Sequence, residues 1–130
     1  RGAIVTMLGD RSRPGNATVS VDFLGSPADF PTAPWLIAAA SHAPVVLCVG
    51  LYRGGGRYDL HFERLADELR FERARRQEQL QAVVATYAAR LAAHLHSAPY
   101  NWFNFYDFWK HTPGEPGPRA PAAPGAAAGR

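Results

Sequence analysis

Hydrophobic and polar positions alternate through the first half of the chain and switch to a helical period in the second. Residues 3–8, Ala3-Ile4-Val5-Thr6-Met7-Leu8, are an apolar, partly β-branched run that predicts a buried strand, and Gly9 to Asn16 form a dense loop signal. From Ala17 to Leu24, Val19, Val21 and Phe23 point one way while Thr18, Ser20 and Asp22 point the other, the pattern of a half-buried strand. Gly25-Ser26-Pro27 should break it. Thr32 is placed to cap a helix that carries Pro34 near its start and runs to about His42. Pro44 stops that helix and opens Val45 to Tyr52, a continuous apolar run suited to a strand covered on both faces.

Arg53-Gly54-Gly55-Gly56 predicts a turn, and beyond it Tyr58, Leu60 and Phe62 alternate with Asp59, His61 and Glu63. A second amphipathic strand, antiparallel to its neighbour, is expected there. From about Asp67 to His96 the period becomes 3.6, with Leu80, Val83, Val84, Tyr87, Ala88, Leu91, Ala92 and Leu95 on one stripe. The first half of this long helix is strongly charged: Glu68, Arg70, Glu72, Arg73, Arg75, Arg76 and Glu78. Two readings suit that run, a solvated face laced with Glu–Arg pairs or a contact with acidic lipid headgroups. The element order predicts an α/β fold, or α+β, with a mixed sheet flanked by helices.

Residues 99–110 then crowd seven aromatic side chains into twelve positions: Tyr100, Trp102, Phe103, Phe105, Tyr106, Phe108 and Trp109. So much apolar area needs a cover. At helical spacing Trp102, Phe105, Tyr106 and Trp109 share one face, and Asn101, Asn104 and Asp107 recur on another. The segment is either a plug that closes a core or a cleft wall or membrane-interface anchor, since Trp and Tyr favour that boundary. Pro113 to Arg130 is almost wholly Pro, Gly and Ala, a composition that cannot bury a core, and disorder is expected over residues 112–130.

Composition adds limits. The chain has 130 residues, enough for one domain and too few for two. It opens without Met on a strand-like run, which predicts the C-terminal piece of a longer protein. The net charge of +3 favours anionic partners such as phosphates or an acidic membrane, and is too small to single out nucleic acid. The single cysteine, Cys48, sits in an apolar run; it excludes an internal disulfide and should be a small core residue. No apolar stretch approaches the roughly 18 residues that span a bilayer.

Catalytic motifs are scarce. There is no Gly-x-Ser-x-Gly, no His-Glu-x-x-His, and the triple glycine precedes a strand without the Gly-Lys-Ser/Thr of a phosphate loop. His94 and His96 are two apart and face different directions on a helix, so they make a poor metal pair. His61 belongs to the polar side of its strand. Asp10 is the best-placed carboxylate. It follows the first apolar run and is flanked by Arg11 and Arg13, a setting that keeps a carboxylate ionised and aims guanidiniums at a phosphate or carboxylate. A loop ion pair that pins the turn would look the same.

Gly9-Asp10-Arg11 after an apolar run, Phe23-Leu24-Gly25, Phe30-Pro31 with Ala33-Pro34, Pro44-Val45-Val46, Tyr52-Arg53, Tyr58-Asp59-Leu60 and the closing Pro99 to Trp109 block occur in an order that resembles one family. They look like the C-terminal half of the lipid A biosynthesis acyltransferase family, of the wider lysophospholipid acyltransferase-like superfamily. The resemblance implies that residues 1–111 are the C-terminal part of an acyltransferase domain. It implies an O-acyltransferase moving a fatty acyl group from an acyl carrier protein or coenzyme A thioester to a hydroxyl of a glycolipid or related lipid. The donor is a substrate, no cofactor is expected, and the setting would be the cytoplasmic face of the bacterial inner membrane. A lipid A precursor, an ornithine-type lipid and an aryl polyene lipid all fit as acceptor.

That superfamily uses a His-x4-Asp/Glu pair as general base on the acceptor hydroxyl. Five residues beyond His42, His61, His94, His96 and His111 stand Leu47, Ala66, Pro99, Asn101 and Pro116, none of them acidic. The resemblance therefore carries over no catalytic residue. It assigns substrate binding to Asp10 and Arg11, with Arg13 beside them, orienting the acceptor head group. The competing expectation is a lipid- or nucleic-acid-binding module without catalysis, working through the aromatic block and the arginines.

Overall fold

A computed structural model describes residues 2–105 and 107–109. Its elements are β1 (Thr18–Phe23), β2 (Ser26–Pro31), α1 (Ala33–Ala40), β3 (Val45–Tyr52), β4 (Tyr58–Ala66) and α2 (Arg76–Ser97), followed by a 3-10 turn at Pro99–Asn101. The chain mixes α and β as expected. The strands, however, form two separate two-stranded antiparallel sheets, β1–β2 and β3–β4, where a mixed sheet was anticipated. Residues 3–8 form no strand, since no described strand pairs with them to satisfy their backbone hydrogen bonds; Ile4 is 93% and Val5 72% exposed.

β1 inserts Val19, Val21 and Phe23 into the core, as its alternation requires. It does not end at a break. Leu24 and Gly25, at φ 56° and 86°, make the tight turn of a hairpin, and the Asp22 carboxylate accepts the Gly25 N–H at 3.2 Å. Positive φ at both central positions is what a two-residue hairpin turn demands. β2 follows despite Pro27 and Pro31, which an edge strand tolerates. Thr32 precedes α1 but does not cap it through its side chain: the hydroxyl donates to the Ala17 carbonyl at 3.1 Å and ties the hairpin shut. The helix stops at Ala40, two residues short of the expected His42, which adopts φ 52°.

α2 is shorter than its periodicity predicts. Residues 68–75 are irregular because Leu69 is drawn into the core and the Glu72 N–H is taken by the Gln79 side chain at 2.8 Å. Their charges pair locally, Arg70 with Glu68 at 2.9 Å and Arg75 with Glu78 at 3.0 Å. Hydrogen bonds from Arg70 and His42 hold the Glu68 carboxyl below its ordinary pKa. From Arg76 onward the apolar stripe behaves as anticipated, with Leu80, Val84, Tyr87, Ala88, Leu91 and Leu95 buried.

The β3–β4 hairpin departs most from expectation. Leu47 and Leu51 are buried, yet Val46 is 52% and Phe62 68% exposed, and Leu60 and Tyr58 are open too. Cys48, opposite Phe62, is exposed instead of being a core residue. The polar side of β4 faces inward, where Glu63 binds Arg90 of α2 at 2.9 Å and lies 3.9 Å from His94. One sheet face therefore stays uncovered where both were expected to be covered. This split sets up a stability contrast. Phe23→Ala should cost about 3–5 kcal/mol in urea denaturation, whereas Phe62→Ser on the open face should stay within about 0.5 kcal/mol of the parent.

Candidate functional site

The loop at Gly9-Asp10-Arg11 and the segment from Pro99 to Trp109 meet over the open end of the core. Each is shaped by the other. The Trp102 Nε1–H donates to Asp10 Oδ2 at 3.0 Å, and the Arg11 guanidinium donates to the Phe103 carbonyl at 2.8 Å. Arg11 Nε lies 3.8 Å from the same Asp10 oxygen. The Asp10 side chain is largely enclosed, 14% exposed, while Arg11 keeps 40% of its surface in solvent. Asp10 and Arg11 are thus brought together as the sequence suggested, and each also holds the aromatic segment, a link the sequence did not disclose.

Arg13 takes no part in this knot. It is exposed, and its carbonyl closes a turn by accepting the Asn16 N–H at 3.0 Å. The aromatic segment is not a helix beyond Asn101, so the expected shared face of Trp102, Phe105 and Trp109 does not form. Trp102 and Trp109 pack against Phe23, with ring centroids 5.4 and 6.1 Å away, and the indole of Trp109, a residue still 38% exposed, donates to the Phe23 carbonyl at 3.1 Å. Phe105 turns outward and is 90% exposed. Tyr106, His111 and the tail from residue 112 lie outside the described residues.

Tyr87 is a part of this site that the sequence did not mark, and Gly9, read there only as part of the Gly9-Asp10-Arg11 motif, packs directly on it. A Cβ on Gly9 would sit 2.8 Å from Cζ of the Tyr87 ring, so only glycine lets the loop lie on α2. Burial, with the nearby Asp10 charge adding to it, pushes the Tyr87 phenol pKa up strongly. Tyr87 was visible as one residue of the α2 stripe, but nothing local marks it as the floor beneath Asp10.

No group of three or more His, Cys, Asp or Glu among the described residues is arranged to hold a metal ion. Trp35, whose buried Nε1 has no hydrogen-bond partner, lines a cavity of about 60 Å³ with Leu65, Leu69 and Val83. That is room for a water or two, far below the roughly 300 Å³ at which ligand pockets begin. No described helix is long and apolar enough to cross a membrane. The arrangement is therefore an open surface knot of carboxylate, guanidinium and indole. The family described as bacterial lipid A biosynthesis acyltransferase matches residues 1–111. The chain belongs to this family. No curated protein and no solved structure matches it. Membership places the chain among acyltransferases of bacterial lipid biosynthesis, and it agrees with the resemblance carried by Gly9-Asp10-Arg11 and the closing aromatic block.

The packing of Tyr87 predicts a pH dependence. Its folded pKa lies above the unfolded value of about 10, so its contribution is complete below that pH and is lost as pH rises past it. Urea midpoints measured from pH 8 upward should fall on the alkaline side, and Tyr87→Phe should remove that part of the decline. Gly9→Ala should destabilise the fold by about 1–3 kcal/mol, read by the same measurement, because the enclosed ring has nowhere to move.

Proposed function

We propose that this chain is the C-terminal part of an O-acyltransferase domain, which moves a fatty acyl group from an acyl thioester to a hydroxyl of a glycolipid or related lipid. Family membership over residues 1–111 is the observation that carries this reading. In it, acyl carrier protein or coenzyme A presents the donor, and the protein works at the cytoplasmic face of the inner membrane. Asp10 and Arg11 orient the acceptor: the half-exposed guanidinium meets an anionic or hydroxylated head group while the enclosed carboxylate fixes the guanidinium. Arg13, on the same loop but apart from the knot, adds positive potential without a fixed contact.

The general base of such a reaction is a His-x4-Asp/Glu pair, which these 130 residues lack. The reading assigns that pair to a polypeptide that covers the open apolar face of β3–β4 and pairs with residues 3–8. Both surfaces are apolar, and both stand in solvent in this chain. Such a surface fits a buried interface far better than a solvated one.

Two measurements test this. The chain alone, given an acyl carrier thioester and a lipid acceptor, should show no turnover above the uncatalysed rate. In an acyltransferase that includes it, Asp10→Asn and Arg11→Ala should each lower the rate at least about tenfold, or ~1.4 kcal/mol, with the fold retained. Asn keeps an oxygen to accept the Trp102 N–H, so Asp10→Asn separates the charge from the structural bond. Wild-type rates in both variants would reduce the knot to packing and sink the assignment.

A further inference from the structure

The aromatic segment carries a second surface besides the one packed on Phe23. Tyr100 and Phe105 are each 90% exposed and Phe103 is 58% exposed, although the backbone that bears them is held at several points. Asn101 Oδ1 accepts the Tyr52 N–H at 2.5 Å, Asp10 holds Trp102, Arg11 holds the Phe103 carbonyl, and Trp109 is anchored to Phe23. Exposed rings on a pinned backbone are not a frayed end. Presenting them to water is unfavourable, and ordering them in advance lowers the entropic cost of burying them in a partner.

We propose that Tyr100, Phe103 and Phe105 form a membrane-docking edge that inserts into the headgroup–acyl boundary of an anionic bilayer. Depth and charge argue for this occupant. The rings are interleaved with Asn101 and Asn104 on irregular backbone, whose polar groups must stay hydrated or paired, so insertion is confined to the interface. Tyr and Phe beside cationic side chains are the composition of that boundary. The two segments tied to this edge by the hydrogen bonds above, residues 9–16 and 52–59, hold Arg11, Arg13, Arg53 and Arg57 against Asp10 and Asp59. That cationic excess complements acidic headgroups. A second copy of the chain would meet the same arginines with the same arginines, which disfavours it. The inference does not depend on turnover and can be judged apart from the acyltransferase reading.

Sedimentation of the 130-residue chain with vesicles of equimolar phosphatidylglycerol and phosphatidylcholine tests it, with pure phosphatidylcholine as comparison. The parent should partition to the anionic vesicles preferentially. The double variant Phe103→Ser, Phe105→Ser should lose about tenfold in partitioning, with an unchanged melting temperature because both rings are exposed. Arg53→Gln with Arg57→Gln should erase the anionic preference. Leu60→Ser with Phe62→Ser, on the open sheet face, should leave partitioning as it was. Partitioning of the Phe103, Phe105 variant within about twofold of the parent would overturn the proposal. So would loss only in the Leu60, Phe62 variant. A concentration-dependent dimer abolished by Phe103→Ser and Phe105→Ser, with vesicle binding intact, would assign the edge to a second copy and overturn it equally.

Discussion

One ring holds the molecule together. Phe23, 1% exposed at the end of β1, has Phe30, Trp102, Phe108 and Trp109 around it at centroid separations of 5.3, 5.4, 5.5 and 6.1 Å. Three of the four contacts are edge-to-face or tilted, the arrangements in which aromatic quadrupoles attract, and the fourth is stacked. Its carbonyl also accepts the Trp109 indole N–H, so side chain and backbone of one residue both retain the aromatic segment. The Asp10 loop depends on the same arrangement at one remove. Asp10 is enclosed because Trp102 lies over it, and Trp102 lies there because Phe23 gives it a surface.

The β3–β4 hairpin shows the opposite condition, an element whose local structure is complete while its burial is not. Its strands pair from Val45↔Ala66 to Tyr52↔Tyr58, with one irregularity near Val45 and Val46. Backbone hydrogen bonding and the Arg53–Arg57 turn suffice to shape it. Its apolar alternation points away from α2, however, and the inward side meets the helix through Glu63 and Arg90, an ion pair open to solvent that is worth little by itself. The hairpin is thus joined to the core by Leu47, with Val45, Val49, Leu65 and Ala66 packed beside it.

These contrasts explain what could be read from the residues alone. The alternation of Val19, Val21 and Phe23 and the stripe from Leu80 to Leu95 were legible because each is a periodic pattern answered by burial within the chain. β2 was hidden by Pro27 and Pro31, whose tolerance at a sheet edge follows from partner geometry. Residues 3–8 and Cys48 misled because apolar sequence states a preference for burial without supplying the cover. At the site, Asp10 and Arg11 stood out as charges beside a glycine. Their contacts to Trp102 and Phe103 span 92 positions, and no local pattern encodes such a pairing. The helical reading of the aromatic block failed for a related reason. Phe23 packs on both Trp102 and Trp109 and Asp10 holds Trp102, all from non-helical backbone, and that outweighs any helical spacing among the rings.

The contact between Phe23 and Trp109 crosses 86 positions, and this has a consequence for how the molecule comes into being. During synthesis, the β1–β2 hairpin is complete long before the residues that will seal it have been made. Until then Phe23 lacks the rings of Trp102, Phe108 and Trp109, Phe30 lacks those of Tyr87 and Phe108, and α2 itself emerges late. The nascent chain must therefore pass through a period with its central aromatic cluster open, the stage at which chains are most prone to associate wrongly. Closure waits on loops that span most of the sequence, an entropic delay that local hairpins do not face. Factors that bind exposed aromatic segments on emerging chains would find their target here in β1 and β2, and would be released by the arrival of Trp102, Phe108 and Trp109.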